Sequence, residues 1–69
     1  MRFNEERNEI RLEIEEIIQK QIDNKERKME LLDELDKDLT DENVREQIRK
    51  LEKEDKYLHA RKVELTSQL

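Results

Sequence analysis

No glycine and no proline occurs anywhere in the 69 residues. That absence narrows the possible folds more than any motif does. Tight hairpins between strands draw on Gly, Asn-Gly or Pro turns, so a sheet has little to turn on. Helices need neither residue in their interiors, and they are the regular structure left. Half of the chain is charged (51 %), with abundant Glu, Lys and Arg, and Leu and Ile recur at helical spacing. That combination belongs to long, surface-rich helices. High charge alone would suit a disordered chain. Here the two signs nearly balance and the apolar residues are periodic, so helices are expected.

One stretch can interrupt the helical pattern, Leu39-Thr40-Asp41-Glu42-Asn43-Val44. Thr40 has the hydroxyl of an N-cap, and Asp41 and Glu42 put negative charge in the first turn of a new helix. Leu39 and Val44 have the spacing of a hydrophobic staple, and Asn43 stands weakly where a capping box has Glu or Gln. Phase gives a second argument. Ile10, Ile17 and Leu31 share a heptad position that continues to Arg45, whereas Val44, Leu51, Leu58 and Leu65 share one shifted by one residue. No single seam runs through both halves. The fold expected is therefore all-α: an antiparallel two-helix hairpin, a single domain over residues 1–69, with helix one over 4–38, a turn at 39–41 and helix two over 41–66. The alternative is one continuous rod, since no Gly or Pro enforces a stop.

Helix one, capped by Asn4 with Glu5 and Glu6 in its first turn, carries an apolar stripe of Ile10, Ile14, Ile17, Ile18, Ile22, Met29, Leu32, Leu35 and Leu39. Leu12 falls off that face and Leu31 flanks it. The acid-first pairs Glu16–Lys20, Asp23–Arg27, Asp33–Lys37, Glu46–Lys50 and Glu52–Lys56 have favourable helical spacing, at roughly 0.2–0.5 kcal/mol each. The middle of helix one is polar, with Gln21, Asn24, Lys25 and Lys28 near the stripe. Helix two has Val44, Leu51, Leu58 and Leu65 at one core position and Ile48, Asp55, Lys62 and Leu69 at the other. Folding at the turn brings together residues whose numbers sum to about 79 or 80, as in any antiparallel pair. Leu35 then meets Val44, Ile14 meets Leu65, and Asp55 meets Asn24 and Lys25. A Lys25–Asp55 pair is expected to set the register without adding much stability.

A two-helix hairpin covers one side of each stripe, and chains this short usually need a further source of stability. Two hairpins are therefore expected to associate as a homodimeric four-helix bundle. The self-association or partner anchors expected are Ile10, Ile14, Ile17, Leu58 and Leu65. Helix one should overhang, exposing Phe3 and the neighbourhood of Ile10. Tyr57, Ala60 and Val63 form a thin second apolar edge suited to a partner. In outline the hairpin is similar to the plasmid copy-number regulator ROP, another short hairpin that dimerises into a bundle. The likeness is architectural and assigns no residue a role.

Charge is uneven. Residues 1–42 hold 8 Lys/Arg and 15 Asp/Glu, net −7, and residues 43–69 hold 7 and 5, net +2. Opposite bias favours antiparallel arms. It also leaves a possible acidic strip, Glu5, Glu9, Glu13 and Glu16, and a possible basic strip, Arg45, Arg49, Lys53 and Lys56. The latter could touch phosphates, but net −5 and two aromatic residues argue against nucleic acid. No catalytic, cofactor or metal site is expected. His59 one turn after Asp55 lacks further ligands, and the Glu-x-x-His of di-metal bundles is missing because Lys56 stands three before it. No Ser-His-Asp set and no Gly-rich phosphate loop is available. With no cysteine, no signal segment and no apolar run long enough for a membrane, the expected compartment is the cytoplasm, and Met1 reads as a native start. The function expected is a non-enzymatic protein–protein interaction module, a small regulator or adaptor. The alternatives are an acidic antagonist that occupies the nucleic-acid site of another protein and a ROP-like RNA-binding bundle.

Overall fold

The computed structural model describes the backbone of residues 2–69 and the side chains of residues 5–69. It holds two α-helices, α1 (Arg2–Lys37) and α2 (Glu42–Ser67), folded against each other as a hairpin. The Cα atoms span 56 × 15 × 13 Å. The long dimension is that of α1 alone, whose 36 residues rise about 1.5 Å each, or roughly 54 Å. A continuous rod is thereby excluded. Asn4 lies inside α1 and does not cap it. The expected exposure of Phe3 lies outside the described side chains.

The chain reverses without glycine because two aspartates do the work of the turn. The Asp38 carboxylate accepts hydrogen bonds from the Thr40 backbone N–H (3.0 Å) and the Thr40 hydroxyl (2.6 Å). The Asp41 N–H donates to the Asp38 carbonyl (3.3 Å). No described residue has positive φ, so the reversal needs no glycine. The N-cap of α2 is Asp41 and not Thr40. The Asp41 carboxylate accepts from the Val44 N–H at 3.2 Å. The hydroxyl of Thr40 is held by Asp38 and cannot serve. Leu39 is 62 % exposed, so it does not act as a staple. Its carbonyl instead accepts from the Arg45 guanidinium at 2.6 Å.

Between residues 10 and 35 of α1, the covered positions are Ile10, Ile14, Ile17, Gln21, Asn24, Lys28, Leu31 and Leu35, with Glu13 beside them. Their steps alternate four and three, the a and d positions of a heptad. In α2 the same positions are Val44, Ile48, Leu51, Asp55, Leu58, Lys62 and Leu65, all covered except Asp55. Leu31, expected at the edge of the stripe, is the most buried residue at 1 % exposure. Ile18, Ile22, Met29, Leu32 and Leu39, expected within it, are exposed.

The core is split in two. Ile17, Leu58 and Leu65 form one cluster, with Ile10 and Ile14 against it. Leu31, Val44 and Ile48 form the other, with Leu35 and Leu51 against it. Leu35 thus shares a cluster with Val44, and Ile14 with Leu65, the register expected of the fold. Level pairing continues to Ile10 and Leu69, so Ile10 is half-buried and the free overhang of α1 ends before it.

Candidate functional site: an interrupted seam and an uncovered ridge

Between the two clusters the seam becomes polar. Gln21, Asn24 and Lys28 occupy the α1 positions and Asp55 the α2 position, while Lys62 stands between Leu58 and Leu65 at the edge of the first cluster. The Lys62 ammonium donates to the Gln21 side-chain carbonyl at 3.2 Å, and Lys28 pairs with Glu52 at 3.2 Å. The helices leave a cleft of about 450 Å³ lined by Gln21, Asn24, Lys25, Lys28, Leu51, Glu52, Asp55 and Lys56. The Asn24 amide nitrogen is buried there with no hydrogen-bond partner. An unpaired buried donor of this kind costs about 1–3 kcal/mol.

Lys25 and Asp55 border this cleft together, as expected, but the ion pair does not form between them. It forms one turn away, between Lys28 and Glu52. A heptad explains the shift: Asp55 occupies a seam position, whereas Glu52 lies at a flanking position, nearer solvent, where Lys28 reaches it. The second ion pair between the helices is Arg61–Glu13 at 3.2 Å, and Arg27 reaches Gln47 at 3.4 Å. These two contacts lie along the opposite edge of the seam from Lys25 and Glu52. Within helices, the ion pairs among the described residues are three apart, Arg27–Glu30, Glu46–Arg49 and Arg61–Glu64, not four as expected.

The anchors expected for a partner, Ile10, Ile14, Ile17, Leu58 and Leu65, all pack within one hairpin cluster. Their apolar surface is largely spent inside the chain. The uncovered apolar surface lies one residue further round α1. Ile18, Ile22, Met29 and Leu32 follow the b and e positions and form a ridge, with Ile18 41 %, Ile22 46 %, Met29 62 % and Leu32 45 % exposed. No protein-family model, curated protein or solved structure matches this chain.

Three members of the acidic strip make no ion pair among the described residues. Glu5, Glu9 and Glu16 are exposed, while Glu13 is tied to Arg61. Hydrogen bonding to the Glu13 carboxylate, then its charge, raises the Arg61 pKa above the ordinary guanidinium value. The basic strip is exposed throughout, but Arg45 is occupied by the turn and Arg49 by Glu46. Arg45, Arg49 and Lys56 take b and e positions on α2, on the same side of the hairpin as the ridge. Lys53 points away from the seam at an f position. Tyr57 and Val63, at 68 % and 55 % exposure, stand at different heptad positions, c and b, and form no continuous edge. His59 is exposed, and no cluster of three or more potential metal ligands occurs among the described residues. Among the described residues, no helix is long and apolar enough to cross a membrane. Periodicity could have separated the ridge from the seam if a 3.5-residue repeat had been fitted to α1 in place of one broad helical face.

Proposed function

We propose that the protein is a cytoplasmic, non-enzymatic interaction module, a small helical regulator or adaptor that forms a homodimeric four-helix bundle and packs a helix face on a partner. The observation that carries this reading is the row of large apolar side chains left in water on α1. Apolar side chains in such a row lose free energy of about 25 cal/mol per Å² when covered, and a hairpin of this size has little core of its own to offset their exposure. Helix-in-groove packing or bundle completion covers such a ridge. Sedimentation equilibrium of the full chain tests it. The expected mass is twice the 8.6 kDa of one chain. A monomer mass at all accessible concentrations overturns the dimer.

A second reading draws on the free end of α1, where Glu5 and Glu9 project beyond the end of α2 and Glu16 follows on the same side. Such a strip suits an acidic antagonist that takes a basic nucleic-acid site on another protein. Its mark would be a partner lost on reversing Glu5, Glu9 and Glu16 to Lys and in raised salt. An RNA-binding bundle has weaker support, since two of its four basic residues already have partners in the hairpin.

A further inference from the structure

We infer that the partner covering the α1 ridge is the same ridge of a second copy, antiparallel to the first, about a two-fold axis that passes near Lys25. This rests on the self-association proposed above and adds the face, the symmetry and the residues at the centre.

The ridge is nearly symmetric along its length. Ile18 and Leu32 lie seven residues either side of Lys25, and Ile22 and Met29 lie three and four away. A two-fold axis across the helix at Lys25 therefore sets Ile18 against Leu32 of the second copy and Ile22 against Met29, and each contact occurs twice. The same operation acts on α2. Level with Lys25 in the hairpin is residue 54, flanked by Glu52 and Lys56, so the axis that joins the two ridges also faces Glu52 of each copy toward Lys56 of the other. Apolar side chains meet apolar ones on α1, and opposite charges meet on α2.

Lys25 is the one polar interruption between Ile18 and Leu32 on the ridge. Two ammonium groups near an axis would repel. Each borders the cleft that carries Asp55 and Glu52. Asp55 has no ion pair or side-chain hydrogen bond among the described residues, and it faces the same cleft as Lys25. Closing the interface removes water from that cleft and strengthens the attraction between the two. The other side of the hairpin lacks these properties. Its outer row on α1 is Glu9, Glu16, Asp23 and Glu30, all exposed, with Tyr57 facing outward from α2. A two-fold axis there would bring charged rows together with no large apolar residue of α1 in the contact.

The chain contains no cysteine, so a single introduced thiol reports one position. Full-length Lys25→Cys and Tyr57→Cys are treated with a short thiol cross-linker at a concentration where the unmodified chain is a dimer. The inference requires covalent dimer from Lys25→Cys and little from Tyr57→Cys. Efficient cross-linking of Tyr57→Cys with none from Lys25→Cys overturns the assigned face and leaves the self-association reading standing. A chain that is monomeric throughout overturns both. Met29→Glu provides a check free of introduced thiols. Met29 is exposed in the hairpin, so the variant keeps its helicity at high concentration while its dimer dissociation constant rises at least about tenfold. An unchanged dissociation constant for Met29→Glu overturns the inference, as does specific capture by an unrelated amphipathic helix that leaves no self-association.

Discussion

At the two ends of the seam the a and d positions hold Ile17, Leu58 and Leu65, or Leu31, Val44 and Ile48, and the side chains close over one another. At its waist the same positions hold Gln21, Asn24, Lys28 and Asp55, and the helices leave a cleft. Backbone geometry is common to both regions, so the difference lies in the side chains. On α1 the apolar residues are not lost at the waist. They are displaced by one position, from Gln21 to Ile22 and from Lys28 to Met29, out of the seam and onto the ridge. The ends hold the hairpin closed, and the waist turns greasy surface outward while its polar groups penalise a shifted register. A sliding of one helix by a turn would set Asn24 or Lys28 against Leu58 or Ile48, leaving polar groups unpaired in an apolar layer.

The largest expected effect sets neighbours apart. Leu31→Ala should cost about 2–5 kcal/mol and leave the chain mostly unfolded by circular dichroism. Leu32→Ala, next to it but on the ridge, should keep the helical signal at high concentration and weaken self-association. Equal losses would erase the distinction between seam and ridge. At the waist the sign reverses. Asn24→Leu removes a buried donor that has no partner, and should raise stability by about 1–3 kcal/mol in urea unfolding. A loss there would mean that the amide is satisfied.

The turn comes next. Asp41→Ala should cost about 0.5–2 kcal/mol by removing the acceptor for the Val44 N–H, and Thr40→Ala clearly less. The reverse order would restore Thr40 as the cap. Across the waist, Lys28 and Glu52 are both partly exposed, and a double-mutant cycle should give about 0.2–1 kcal/mol of coupling. The smallest effect concerns Asp38. Its carboxyl is held below the ordinary value of 3.8 by the Thr40 hydroxyl and then by the Thr40 N–H. A lowered folded-state pKa means a contribution present above the unfolded value and lost as pH falls through the folded one. A side-chain titration by NMR should show Asp38 protonating below 3.8, and Thr40→Ala should move it upward.

The hairpin and its register were legible because they rest on strong patterns: the absence of Gly and Pro, the phase slip between Ile10–Ile17–Leu31 and Val44–Leu51–Leu58–Leu65, and the coincidence of a polar α1 centre with Asp55. Other features were not. A single broad face drawn through α1 averages two apolar rows offset by one residue, so it took in Leu32 and placed Leu31 at the margin. The correct N-cap was hidden because Thr40 and Asp41 are both good cap residues, and the choice depends on Asp38, three residues before Asp41, drawing in the Thr40 hydroxyl. The Lys28–Glu52 pair depends on which long side chain reaches past a half-buried layer, which spacing alone does not specify.

If the ridge is covered by association, folding and assembly are one equilibrium, and stability must follow concentration. Thermal unfolding of the full chain, followed by circular dichroism at 222 nm across a hundredfold range of protein concentration, should show a midpoint that climbs steadily with concentration. A midpoint that stays fixed over that range would mean that the hairpin stands alone with Ile22 and Met29 in water.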